Sequence, residues 1–166
     1  NSSQAERSAN GFALLGQAAP EAQAVILNGS ADWRDYRVQG SVCLNGPGAA
    51  GPVFGWQDPG HYYFFAVAAG AESVRLVRMW NGAAETVRAA DLRIETGNHY
   101  TFTVEAVAGT IVCAIDDTEV FRVKECRLLA GRAGLACAPG TAAVFDDIFI
   151  TSSRFIVADF REWEDG

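Results

Sequence analysis

Apolar and polar residues alternate with a period of two along much of the chain. Tyr36, Val38, Val42 and Leu44 alternate with Arg37, Gln39, Ser41 and Cys43, and Tyr100, Phe102, Val104 and Ala106 alternate with Thr101, Thr103 and Glu105. Successive side chains of a strand point to opposite faces, so this pattern predicts strands with one buried and one solvated face. Residues 61–68 break the alternation: Tyr62, Tyr63, Phe64 and Phe65 follow one another without a polar residue. Such a run predicts a strand covered on both faces. Further strands are predicted at 24–27, 53–56, 73–80, 85–89, 110–115, 119–123, 134–137 and 144–151.

Turn signals separate these runs. Asn81-Gly82 is a strong hairpin signal, because both residues tolerate a positive φ. Asp58-Pro59-Gly60, Ala108-Gly109 and Asp116-Asp117 mark further turns. The Gly- and Pro-rich stretch 45–52 reads as a loop, and 89–94 as one helical turn. The total is ten to twelve short strands with a turn every 8 to 12 residues. That spacing predicts an all-β, two-sheet antiparallel sandwich.

Composition narrows the function classes. The chain has 166 residues, 49% of them hydrophobic, with 17 Gly, 2 His and 1 Met. One domain of this size buries a sizeable core. The net charge of -7 disfavours a nucleic-acid partner, because an acidic surface repels phosphates. No apolar run reaches the roughly 18 residues needed to cross a bilayer as a helix. Cys43, Cys113, Cys126 and Cys137 lack the spacing of a zinc site. Their even number permits two disulfides with three connectivities, and four buried thiols are the alternative. Asn1-Ser2-Ser3 and Asn28-Gly29-Ser30 are glycosylation sequons that matter only on a eukaryotic secretory route.

Several short pieces then occur in a telling order. They are Trp33-Arg34-Asp35-Tyr36-Arg37-Val38, Gly51-Pro52-Val53-Phe54 with Gln57-Asp58, and His61-Tyr62-Tyr63-Phe64-Phe65. Asn81-Gly82, Ile111 to Asp117, Gly131-Arg132-Ala133-Gly134-Leu135 and Phe145-Asp146-Asp147-Ile148 follow. In this order, across 33–151, the chain resembles the concanavalin A-like lectin/glucanase superfamily. The nearest likeness is to laminin-G-like and family 16-like jelly-roll domains of surface and contractile-tail proteins. The resemblance implies a concanavalin A-like jelly roll and a secreted or surface-exposed setting, on a cell or a virion tail. Gly55 stands where many relatives carry Arg, His61 replaces an Asn, and Asp117 replaces a turn Gly.

The resemblance also divides the chain into a sandwich over 1–153 and a C-terminal strand over 154–166. Asp159-Phe160-Arg161-Glu162-Trp163 is similar to the strand that opens such domains. It completes the same sandwich, completes a neighbouring copy, or begins a further domain. Phe155, Val157, Phe160 and Trp163 are the residues that would join subunits in the second case.

The candidate chemistry is binding rather than catalysis. Glycan hydrolysis on such a fold needs two carboxylates facing one groove. No Glu-x-Asp-x-x-Glu triplet is present, and the adjacent pair Asp146-Asp147 points to opposite faces of a strand. Sugar binding needs aromatic faces and a few fixed polar groups. Trp56, Gln57, Asp58, Tyr62, Arg78 and Trp80 supply them beside turn signals. His61 and His99 read as turn residues using side-chain hydrogen bonds. Asp146 and Asp147 are candidate ligands for Ca2+, with carbonyl help.

The leading expectation is therefore a non-catalytic carbohydrate-binding or adhesion module of a larger assembly. Its partner would be a glycan or a cell-surface ligand. A structural domain that joins subunits through its C-terminal strand is the alternative, giving a homo-oligomer or a joint to a neighbouring domain. A glycoside hydrolase-like enzyme is the third.

Overall fold

A computed structural model describes residues 3–8, 11–17, 23–125, 130–152, 156–159 and 164–165. The described residues form strands and no helix. The strands are β1 (Ser3–Ser8), β2 (Gly11–Gln17), β3 (Ala24–Asn28), β4 (Tyr36–Leu44), β5 (Ala49–Asp58), β6 (His61–Ala68), β7 (Val74–Trp80) and β8 (Ala83–Ala90). They continue with β9 (His99–Val107), β10 (Thr110–Ile115), β11 (Thr118–Lys124), β12 (Arg132–Cys137), β13 (Ala142–Ser152), β14 (Ile156–Asp159) and β15 (Glu164–Asp165).

Two antiparallel sheets form the predicted sandwich. One has 8 strands in the order β1-β2-β13-β4-β9-β10-β11, with β14 also paired to β13. The other has 7 strands in the order β15-β3-β12-β5-β6-β7-β8. Val38, Val42, Phe102, Val104, Ile111, Phe145 and Ile150 of the first sheet meet Phe54, Tyr63, Phe65, Leu76 and Leu135 of the second. This inter-sheet layer is the main core, and burying each large side chain in it is worth about 1.5–3 kcal/mol.

The double covering predicted for β6 is present. Tyr63, Phe65 and Val67 point into the main core, while Tyr62, Phe64 and Ala66 belong to a second apolar cluster. Leu27, Val53 and Ala136 join that cluster, with Trp56, Val77 and Met79 packed against it. These residues share the outer face of the seven-stranded sheet. The outer face of the eight-stranded sheet differs, carrying Arg37, Gln39, Thr101, Thr103 and Glu105 along β4 and β9.

Two local expectations are corrected. Residues 49–52 are the start of β5, not loop: Ala50 pairs with Val67, and Pro52 with Leu135. A Cβ on Gly51 would overlap the Phe65 carbonyl, so glycine here serves close strand approach and not a turn. Residues 89–94 form no helical turn. The Ser73 hydroxyl donates to the Leu92 carbonyl at 2.7 Å and accepts the Leu92 N–H at 2.6 Å, which holds that segment extended.

Cys43, Cys113 and Cys137 are buried free thiols, so two disulfides do not form. Cys126 lies outside the described residues. Burial alone pushes the Cys137 thiol up to about 12. The backbones of β14 and β15 pair with β13 and β3 of the same chain. Of the residues expected to join subunits, Phe155, Phe160 and Trp163 lie outside the described residues, as does the Val157 side chain.

One polar contact links the two sheets inside the core. The Tyr36 hydroxyl, on the first residue of β4, donates to the Gly131 carbonyl at 3.1 Å and accepts the Gly55 N–H at 2.8 Å. Tyr36 is 2% exposed, and burial pushes its hydroxyl well above the ordinary tyrosine range. Gly55, at a φ of 59°, lies where the β5–β6 register shifts between Phe54 and Asp58. Tyr36→Phe keeps the ring but strands a buried N–H and a buried carbonyl. It is expected to lower unfolding stability by about 1–3 kcal/mol in denaturant titration.

Candidate functional site: an aromatic face at one end of the sandwich

The irregularity in β5 is what places the site. In a regular strand Val53 and Gly55 would share the outer face, and Phe54 and Trp56 the inner one. Extra residues at a bulge reverse that alternation and re-aim the side chains that follow. Phe54 accordingly stays in the main core, while Trp56 joins Val53 in the outer cluster. A Cβ on Gly131 would overlap the backbone of Gly55 and Trp56, so the chain entering β12 can pass the bulge only as glycine.

Trp56 then stacks on Tyr62, with ring centroids 4.4 Å apart and planes at 24°. Tyr62 is the buried lower ring, and its hydroxyl donates to Gln23 at 3.2 Å. Trp56 is the half-exposed upper ring. Two neighbours frame the pair: Arg132 sits opposite Trp56 on β12, and Met79 sits opposite Tyr62 on β7. Sequence reasoning did not single out either one. The alternation Arg132, Gly134, Ala136 along β12 was their available signal, since it leaves small residues and one arginine facing the aromatics.

The remaining predicted binding residues divide into separate groups. Gln57 is committed to the backbone, where its amide donates to the carbonyls of Ala31, at 2.9 Å, and of Ala130. Asp58 and Trp80 gather around His61. The His61 Nδ1 lies 2.9 Å from the Asp58 carboxylate, and Nε2 lies 2.9 Å from the Asn81 side-chain oxygen. The His61 ring meets Trp80 edge-on at 4.9 Å. This cluster ties the β5–β6 turn to the β7–β8 turn, as does the bond from the Gly82 N–H to the Gly60 carbonyl. His61 is thus a turn residue with side-chain bonds, as the sequence implied.

Arg78 faces the interior between the sheets. Its guanidinium meets Glu125 at 2.6 Å and Glu85 at 2.5 Å, and the Arg78 and Glu125 side chains are 13% and 7% exposed. Both carboxylates hold it in a structural ion pair near the end of the sandwich. Asp146 and Asp147 lie at the register shift of β13. The Asp146 carboxylate accepts the Asp147 N–H at 2.8 Å, and burial, with the Asp146 charge, raises the Asp147 carboxyl. Among the described residues no group of three or more His, Cys, Asp and Glu side chains gathers there or elsewhere to hold a metal.

No protein-family model matches the sequence, and no curated protein matches it. Solved structures do share the fold. The carbohydrate-binding module CBM66 from Bacillus subtilis superposes with a TM-score of 0.76 at 22% identity, covering 90% of this chain and 92% of that one. Domain 4 of AbnA, a GH43 extracellular arabinanase from Geobacillus stearothermophilus solved with arabinotriose, gives 0.69 at 14% identity, covering 95% of this chain and 78% of that one. A xylan beta-1,4-xylosidase from Bacillus halodurans C-125 gives 0.67 at 12% identity. The match covers 84% of this chain but only 33% of the enzyme. These similarities establish the β-sandwich fold.

Two outcomes follow from this geometry. Arg78→Ala removes the guanidinium that pairs with the mostly buried Glu125 and with Glu85 and is expected to cost about 3 kcal/mol in unfolding stability. His61 generates a pH dependence. Hydrogen bonds to Asp58 first, and to Asn81 second, raise its pKa above the ordinary 6.5, because the imidazolium donates to both oxygens. The stabilisation is fully present below about 6.5 and is lost as the pH rises through the higher folded value. The stability gap between wild type and His61→Gln should therefore narrow from pH 6 to pH 9. A gap that widens would contradict the assignment.

Proposed function

We propose that the chain is a non-catalytic carbohydrate-binding module of concanavalin A-like type, working within a larger secreted or surface-exposed protein. The observation that carries this reading is the Trp56–Tyr62 stack on the outer face of the seven-stranded sheet. A half-exposed indole backed by a second ring is a rigid apolar platform. Sugar rings present C–H faces to such a platform, and nearby polar groups select among them. Two of the proteins that share the fold are a carbohydrate-binding module and a domain solved with arabinotriose, which is the setting this reading extends to the present chain.

The charged residues nearest the stack speak for binding over turnover. Hydrolysis needs an acid and a second carboxylate roughly 5 to 10 Å apart across the bound sugar. The side chain opposite Trp56 is Arg132, and the one opposite Tyr62 is Met79. Asp58 is held by His61 and the Gly60 N–H.

The test is calorimetric titration with arabino- and xylo-oligosaccharides and a wider neutral and acidic glycan panel. Wild type is expected to bind at least one glycan. Trp56→Ala is expected to lower that affinity at least tenfold, about 1.4 kcal/mol, while still unfolding in one cooperative thermal transition. Binding by Trp56→Ala at wild-type strength would refute the site. Release of reducing sugar by the purified protein would refute the non-catalytic reading.

A further inference from the structure

The same face carries an arginine that pairs with no carboxylate among the described residues. Among the described residues, Arg78, Arg93 and Arg122 each pair with a carboxylate at 2.5 to 3.7 Å. Arg132 pairs with none, and its Nε–H is buried without an acceptor. A buried guanidinium N–H that finds no partner costs stability, so native proteins seldom keep one without a use for it. Arg132 stands directly opposite Trp56 on the neighbouring strand, where facing Cβ atoms are about 5 Å apart.

The surroundings match that charge. Ladder register places Leu27, Gly134, Val53, Phe64 and Val77 in one row across the face; beside it Arg132 faces Trp56 and Tyr62 faces Met79, the two pairs joined by the Trp56–Tyr62 ring stack. The charged residues that register puts on this face of β12, β5, β6 and β7, up to Trp56 on β5, are Arg132 and Arg75, the latter opposite Ala66. Both are cations, although the whole chain carries -7. The other described acidic residues lie mainly at turns, edges and the other sheet, and charges more than about 10 Å away are largely screened at physiological salt. Along β12, β5, β6 and β7 up to Trp56 the face is cationic, and Glu164 of β15 stands in register with Leu27 at its edge.

We propose that this face takes an acidic glycan, one whose rings bear carboxylates, with the ring on Trp56 and its carboxylate on Arg132. The inference rests on the carbohydrate-binding reading above and names the ligand class for it. A guanidinium offers a planar fork that meets both oxygens of a carboxylate. A sugar ring stacked on Trp56 directs an exocyclic group toward the adjacent strand, which is where Arg132 stands.

The experiment compares a galacturonate oligosaccharide, its carboxyl-reduced neutral form and a sulfated neutral oligosaccharide of similar length. Affinities are measured for wild type, Arg132→Gln, Arg132→Lys and Trp56→Ala, each checked for folding by its thermal midpoint. Wild type is expected to bind the galacturonate at least tenfold more tightly than the reduced form, with the preference shrinking in 0.5 M salt. Arg132→Gln should abolish the preference, weakening the galacturonate at least tenfold more than the neutral form. Arg132→Lys should keep part of it, and Trp56→Ala should weaken both forms. Equal binding of acidic and reduced forms by wild type and Arg132→Gln alike would overturn the acidic-ligand inference and leave the binding site standing. Preference for the sulfated form in place of the galacturonate would also overturn it. Failure of wild type to bind any glycan would remove the carbohydrate reading itself.

Discussion

The Tyr36 hydroxyl is the contact on which the site depends. It lies in the layer between the sheets, where an unpaired polar atom is expensive. It is fully used: it donates to Gly131 on the approach to β12 and accepts from Gly55 in the β5 bulge. Trp33 packs edge-on to the same ring at 6.2 Å, and its carbonyl accepts the Gly131 N–H at 2.9 Å. A residue of one sheet thereby holds the irregular backbone of the other. Without that bulge Trp56 would turn into an interior already filled by Phe54 and Tyr63, whose rings stack 5.5 Å apart.

The two sheets do different work because their outer faces differ. Threonine, glutamine and mixed charges on β4 and β9 leave one face solvated. The other carries a second apolar layer, with Val53 and Ala66 nearly as buried as any core residue. A sandwich needs one apolar layer to hold its sheets together. A second one on an outer face goes beyond that need, and Trp56, Met79 and Arg132, only partly buried, are where that face meets solvent. The ion pair of Arg78 and the His61 cluster keep the ends of β5 to β8 together beside that face, so its shape is rigid.

Much of the architecture is legible in the residue pattern. Alternation in β4 and β9 and its absence in β6 assign faces correctly, because the side-chain period of two is a property of any strand. Asn81-Gly82 marks its hairpin through positive φ at both residues, 51° and 78°. What misleads is proximity that only the fold creates. Gly51 and Pro52 look like breakers, yet they serve close packing against Phe65. Residues 89–94 look helical until Ser73, distant in sequence, takes up both polar groups of Leu92. Arg78 and Gln57, expected as ligand contacts beside turns, are engaged by Glu125, Ala31 and Ala130, partners that only the fold brings to them. Trp56 and Tyr62 were legible as aromatics near a turn. That they stack, and that Arg132 faces them, depends on a bulge that no local pattern announces.

The single methionine, Met79, lies opposite Tyr62 on the proposed binding face and gives one isolated methyl signal. Following that signal and the indole signals by NMR during glycan titration tests the central claim most directly. The account expects saturable shifts at the Met79 methyl and the Trp56 indole, with the amides of Gln39 and Thr103 on the opposite sheet unmoved. Shifts confined to that opposite sheet, or a bound glycan that leaves Met79 and Trp56 unchanged, would contradict it.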